Sequence, residues 1–195
     1  MASLPTFSFT DLATPTAGTA VVLAGDGVEL GPVAQSLETA SDGLVSAAAG
    51  TARFTGKARK TLSLLAPRGL SLDRLVVVGT GKAKEIASAD WVRLGGAIGG
   101  AVQAGAGPVT VVLERGDGVA VTADEAAEVA LGILLRSYKF DRYKTKKGDN
   151  GEEDEAPAEV TVMVADPAAA RAAWEGRKAA GEGVALARDL VNEPA

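Results

Sequence analysis

The sequence of 195 residues contains neither cysteine nor histidine. Without cysteine, the chain has no disulfide bond and no thiolate ligand for a metal. Without histidine, it has no imidazole ligand, and neither a Ser-His nor a Cys-His nucleophile pair can form. A metal site in this chain would therefore have to be built from carboxylates alone.

Long apolar runs are also missing. No run approaches the roughly 20 residues that a membrane-spanning helix needs. The first residues, MASLPT, show no basic region followed by an apolar stretch, so they do not resemble a secretory signal. We therefore expect a cytoplasmic protein that does not enter a membrane.

Aromatic residues make up only 4% of the chain, whereas 47% of it is hydrophobic. The core must then consist mainly of Val, Leu, Ile and Ala. A chain of this length buries roughly 70% of the surface that its unfolded form exposes, which is enough for a complete core. The length and composition predict one folded domain, with room for an appendage.

Lysine and arginine are absent before Arg53, and this places the net charge of −5 in the first quarter of the chain. An acidic domain repels phosphate groups at long range, so we expect that nucleic acid is not the main partner. The carboxylates of this first quarter are Asp11, Asp26, Glu29, Glu38 and Asp42.

Short apolar runs alternate with longer helical patterns. The clearest strand is residues 74–81, RLVVVGTG, whose unbroken Leu and Val run is typical of a central strand covered on both faces. Residues 6–12 alternate and are less apolar, which indicates an edge strand. Further strands are predicted at residues 19–25, 61–67, 109–114 and 159–165.

Three helices are predicted between and after these strands. Residues 88–104 place Trp91, Leu94, Ile98 and Val102 on one stripe. Residues 122–140 open with a capping box formed by Thr122 and Glu125. The last helix opens at Asp166-Pro167 and runs to about Asn192, with glycines at 181 and 183 that would weaken it.

Together these patterns predict an α/β fold with three layers, α/β/α, around a mixed sheet of about six strands. The helix from residue 167 has no strand after it. We therefore expect residues 1–165 to form the domain and residues 167–195 to form a connecting helix.

Four segments could carry chemistry, and each has a simpler structural interpretation. The glycine turn at 79–82 fails the P-loop pattern at Val76 and the dinucleotide fingerprint at Lys84. The segment GGAIGG (95–100) is interpreted as a site of close helix packing. The consecutive acidic residues 152–155 are typical of a solvated loop. The segment 137–147, which mixes basic and aromatic residues, is typical of the end of a helix. We therefore predict no catalytic, cofactor-binding or metal-binding residue.

Three segments together resemble the cytosolic leucyl aminopeptidases. "RDLVNEPA" (188–195) resembles the junction between their N-terminal and catalytic domains, "LLRSYKFDRYK" (134–144) resembles the helix end before their variable loop, and "RLVVVGTGK" (74–82) matches their central strand and turn. The three segments stand in the family's order and spacing.

The resemblance implies a macro-domain-like N-terminal domain that is truncated before its catalytic domain. It implies that the full-length enzyme is a hexameric exopeptidase that binds two divalent metals, manganese or zinc, and releases N-terminal residues, with leucine preferred. None of its metal ligands or catalytic residues has a counterpart in this chain. The expected role of the chain is therefore assembly and architecture.

Two other functions stay open. The first is a module that binds a small molecule such as ADP-ribose, for which the loops at 47–58 and 79–82 are the segments of interest. The second is an accessory domain that binds nucleic acid through Arg142, Lys144, Lys146 and Lys147, although the acidic N-terminal part argues against it.

Overall fold

A computed structural model of the chain describes residues 4–82, 88–102, 107–138 and 159–193. Within these residues, six strands form one mixed sheet in the order β1-β6-β5-β2-β4-β3, in which only β3 runs antiparallel to its neighbour. The strands are β1 (Thr6–Thr10), β2 (Thr19–Gly25), β3 (Thr61–Leu65), β4 (Arg74–Gly81), β5 (Val109–Val112) and β6 (Glu159–Met163). The helices are α1 (Pro32–Ala40), α2 (Leu44–Ala52), α3 (Ser88–Val102), α4 (Ala123–Ser137) and α5 (Pro167–Asn192).

Helices cover both faces of the sheet, which confirms the predicted three-layer fold. Strand β4 shows how the layers form, because its successive side chains enter two separate cores. Val76 and Val78 pack with α3, α4 and α5 on one face. Leu75 and Val77 pack with α1 and α2 on the other face. The continuous apolar run that predicted a central strand therefore reflects burial on both sides.

The predicted strands and the three predicted helices are all present. Strand β1 lies at one edge of the sheet, as its alternating pattern indicated. In α3, Trp91, Leu94, Ile98 and Val102 are each at most 5% exposed. The capping box of α4 is also present, because Thr122 Oγ1 accepts a hydrogen bond from Glu125 N and Glu125 Oε2 accepts one from Thr122 N.

Helix α5 runs without a break through Gly181 and Gly183. A Cβ at Gly181 would lie 2.2 Å from Leu134 Cδ2 on α4, so a larger residue would force this leucine side chain to move. The glycine thus allows α5 to approach α4 closely, and the contact offsets the weak helix propensity of glycine.

Helices α1 and α2 were not predicted, because neither begins with a local capping side chain. A distant carboxylate caps α1: Val33 N donates to Glu114 Oε2 at 2.7 Å, across 81 positions of sequence. Glu38 caps α2, where its two carboxylate oxygens accept hydrogen bonds from Val45 N and Ser46 N. Carboxylates at helix N-termini also interact favourably with the helix dipole.

Candidate functional site

The carboxyl ends of β2 and β4 lie side by side at one edge of the sheet. From β2 the chain continues to α1 on one face of the sheet, and from β4 it continues to α3 on the opposite face. The two segments that leave the strands therefore part and open a crevice between them. In open α/β sheets, a crevice of this kind is the usual position of a ligand site.

A cavity of about 380 Å³ occupies this crevice. It brings together both loops of interest from the sequence, the end of the 47–58 segment and the turn at 79–82. Helix α3 closes one side with the buried side chains of Trp91 and Leu94. The described residues that line the cavity are Asp26, Lys57, Ala58, Arg59, Gly79, Thr80, Gly81, Lys82, Asp90, Trp91 and Leu94.

Among the described residues around the cavity, basic side chains outnumber acidic ones. Lys57, Arg59 and Lys82 line it together with two carboxylates, Asp26 and Asp90. Asp90 Oδ1 lies 3.6 Å from Arg59 Nη1 and 3.3 Å from Arg93 Nη1, so two guanidinium groups share this one carboxylate.

The glycine segment at 79–82 forms backbone hydrogen bonds to the loop at 56–60. Gly79 N donates to Lys60 O and Gly81 N donates to Gly56 O, both at 2.8 Å. A Cβ at Gly79 would lie 2.1 Å from Lys57 O, so only glycine allows this approach. These two amides are therefore engaged within the protein. The prediction of a tight turn was wrong for residues 79–81, because they form the end of β4 and pair with β2.

The GGAIGG segment packs α3 against α4. A Cβ at Gly95 would lie 2.1 Å from Val129 O, and a Cβ at Gly132 would lie 2.0 Å from Val92 O. The two helices thus touch backbone to backbone at this point. The structure supports the predicted packing role for this segment.

The two most specific segments of the family resemblance meet in space, where α5 passes the end of α4. Tyr138 Oη donates to Asp189 Oδ1 at 2.9 Å, and Arg188 Nη1 donates to Leu135 O at 3.2 Å. The Arg188 guanidinium also lies 5.4 Å from the centre of the Tyr138 ring, a cation–π distance. Burial raises the pKa of the Tyr138 phenol. These contacts hold the distal part of α5 against the domain.

A second polar contact joins the same two helices nearer to the start of α5. Arg177 Nη2 lies 2.8 Å from Asp124 Oδ1 and 3.8 Å from Glu128 Oε1. Glu128 Oε2 is buried without a hydrogen-bond partner in the described part of the chain. Burial raises the pKa of Glu128 against the opposing effect of Arg177.

Beyond this contact, α5 presents apolar side chains that nothing in the described structure covers. Val184, Leu190 and Val191 are 41%, 70% and 84% exposed. Ala187 lies three residues after Val184, and Leu190 and Val191 lie three and four residues after Ala187, which places all four on one side of the helix. We call Val184, Ala187, Leu190 and Val191 the distal stripe.

Several features singled out in the sequence fall elsewhere. The acids at 152–155 and the bases Arg142, Lys144, Lys146 and Lys147 lie outside the described residues. Within residues 4–82, 88–102, 107–138 and 159–193, no three His, Cys, Asp or Glu side chains are close enough to hold a metal ion. The described carboxylates therefore do not fit the two-metal site that the family resemblance implies for the full-length enzyme. No helix in these same segments is long and apolar enough to cross a membrane.

Solved structures with the same arrangement include a leucine aminopeptidase and a maturation enzyme. A mutant of tomato leucine aminopeptidase superposes with a TM-score of 0.79 at 21% identity, over 100% of this chain and 40% of that one. The bottromycin maturation enzyme BotP superposes with a TM-score of 0.66 at 24% identity, over 92% of this chain and 33% of that one. The fold is thus that of one domain within the larger leucine aminopeptidase chain.

The family follows from the sequence comparisons. Residues 21–147 match the model of the cytosol aminopeptidase family, N-terminal domain. A probable cytosol aminopeptidase of Rhodopseudomonas palustris is 49% identical over 186 residues, which are 95% of this chain and 37% of the relative. One of a Chelativorans species is 41% identical over all of this chain and 38% of the relative. The chain belongs to the cytosol aminopeptidase family, and it spans little more than a third of the length of these relatives.

Proposed function

We propose that this chain is the non-catalytic, architectural N-terminal domain of a leucyl aminopeptidase. Its match to the N-terminal family model supports this role, as does its coverage of 37% of the Rhodopseudomonas palustris relative. In this proposal, the remaining length of such a relative carries the catalytic domain, and this chain contributes to assembly.

The observation that carries the proposal is the distal stripe of α5. The first part of α5 packs on the core that residues 1–165 form, because Ala170 and Trp174 lie beside Phe7 and Phe9. In the last turns of α5, a polar side chain contacts Tyr138 at the end of α4, whereas the distal stripe is exposed to solvent. We propose that residues 1–165 form the N-terminal domain, that residues 167–195 connect it to the catalytic domain, and that the distal stripe packs against that domain.

For the full-length enzyme we propose the activity of an exopeptidase that removes N-terminal residues from peptides, leucine preferred. Two divalent metals, manganese or zinc, would supply a polarised carbonyl and an activated water in the catalytic domain. A structure of BotP in complex with Mn shares this fold, at a TM-score of 0.63. We also propose a hexameric assembly and a cytoplasmic location, in keeping with relatives described as probable cytosol aminopeptidases.

The first test measures hydrolysis of leucine p-nitroanilide by the purified chain, with and without added manganese. We expect no release of nitroaniline above the buffer rate under either condition. Turnover that grows with the concentration of the pure chain would overturn the non-catalytic role.

The second test uses a chimera in which this chain replaces the matching segment of the Rhodopseudomonas palustris relative. In the isolated chain, Leu190→Asp leaves the melting temperature unchanged, because the side chain is 70% exposed. In the chimera, the same change lowers both the melting temperature and the peptidase activity, because it places a charge in an apolar contact.

The matched control is Leu65→Asp on β3, where the side chain is 68% exposed and lies outside the distal stripe. This variant is expected to leave the chimera unaffected. Equal effects of the two variants on the chimera would contradict a specific role for the distal stripe.

A further inference from the structure

We propose that the cavity at the carboxyl ends of β2 and β4 binds a small phosphorylated polyhydroxy compound of the size of a sugar phosphate. This function is separate from the architectural role and does not depend on a catalytic domain. The cavity volume of about 380 Å³ falls within the range of small-molecule sites.

The position of the cavity follows from the topology of the sheet. Strands β2 and β4 are parallel neighbours, but the chain leaves them toward opposite faces. The crevice between such diverging connections cannot be filled by either connection, and it opens beside the strand ends. Asp26 directly follows β2, Gly81 ends β4 and Lys82 directly follows it, so the ends of both strands contribute to the lining.

The charge of the lining favours an anion. Three cationic side chains face two carboxylates, and Asp90 is already shared between Arg59 and Arg93. The described part of the lining is therefore more basic than acidic, at one place on a chain whose net charge is −5. Charge-assisted hydrogen bonds from lysine and arginine to phosphate are among the stronger polar contacts in proteins.

The contacts to the anion come from side chains. The amides of Gly79 and Gly81 donate to Lys60 O and Gly56 O and so do not form a backbone cradle. Lys57 is exposed at the cavity, where its flexible stem can follow a phosphate. Asp26 is exposed beside it and supplies carboxylate oxygens that accept hydrogen bonds from hydroxyl groups. A phosphate joined to hydroxyl groups matches both kinds of side chain.

The test follows the backbone amide signals of the isotope-labelled chain by nuclear magnetic resonance during titration with ribose 5-phosphate, at constant ionic strength. Inorganic phosphate and ribose are titrated separately. We expect saturable shifts at residues 57–59, at Gly81 and Lys82, and at Asp90. Ribose 5-phosphate should bind more tightly than phosphate, and ribose alone should cause no shift.

Lys57→Gln is expected to weaken ribose 5-phosphate binding about tenfold, through loss of one charge-assisted contact. The matched control is Lys60→Gln, which removes the same charge from the same loop at an exposed residue that does not line the cavity. This control should bind as the unmodified chain does. The absence of saturable shifts, equal weakening by the two variants, or equal binding of ribose and ribose 5-phosphate would each overturn the proposal.

Discussion

Replacing Gly95 by alanine tests the close packing of α3 and α4 most directly. The added Cβ would lie 2.1 Å from Val129 O and 3.0 Å from Gly132 Cα. The first of these is a backbone atom that cannot rotate away, so the two helices must move apart by about 1 Å. Such a shift also loosens the buried Trp91 and Ile98, which α3 contributes to the core.

The size of the effect follows from two opposing terms. Overpacking of a well-packed interior costs about 1–3 kcal/mol, and a backbone clash belongs at the upper end of this range. Alanine regains about 1 kcal/mol of helix propensity relative to glycine. We therefore expect Gly95→Ala to lower the free energy of unfolding by about 2 kcal/mol.

The neighbouring Gly96 provides the control within the same helix. A Cβ at this position would have its nearest neighbour, Gly132 O, at 4.0 Å, which is an ordinary contact. Gly96→Ala should therefore gain up to about 1 kcal/mol from helix propensity alone. Urea unfolding followed by far-ultraviolet circular dichroism measures both variants. Equal stability of Gly95→Ala and Gly96→Ala would refute the backbone contact between the two helices.

Two further changes test the polar contacts of α4. Thr122→Ala removes the capping side chain and should lower the free energy of unfolding by about 1 kcal/mol in the same urea assay; an unchanged midpoint would contradict the cap. Glu128→Gln tests the buried carboxylate, whose raised pKa means that its ionised form is disfavoured in the fold. Ionisation of Glu128 therefore lowers the free energy of unfolding once the pH rises above 4.5, the usual pKa of a glutamate side chain. Below that pH the cost is absent. Thermal unfolding should show the glutamine variant to be more stable at neutral pH, with an advantage that shrinks in acid; an advantage that grows as the pH falls would contradict the assignment.

The predictions from sequence succeeded where the signal is local. The apolar run of β4 and the Thr122–Glu125 capping box depend on residues that are close in sequence, and both formed as predicted. Helices α1 and α2 were missed because the groups that satisfy their first amides are not local. Glu114, which caps α1, follows β5 and is 81 positions along the chain from Val33, from whose amide it accepts a hydrogen bond. Without a capping side chain at the N-cap, α1 has only Pro32 at its first position as a local start signal, and α2 lacks even that.

The candidate cavity was visible in the sequence only as separate pieces. The sequence indicated residues 47–58 and 79–82 as candidate binding loops, but neither matches a known phosphate-binding pattern. The sequence did not indicate that Asp26 and Asp90 belong to one site, because nothing in their spacing places them together. They meet because β2 and β4 pair in parallel while their connections leave toward opposite faces.

The sequence by itself determined the class of fold, the family resemblance and the absence of histidine and cysteine chemistry. Hydrophobic periodicity and capping are local properties, and a single chain displays them directly. Tertiary structure decided which glycine of α3 contacts a neighbouring backbone, how Arg188 and Asp189 meet Leu135 and Tyr138, and which charges surround one cavity. These features depend on the distances between segments far apart in the chain, and the pairing of strands and the packing of helices set those distances.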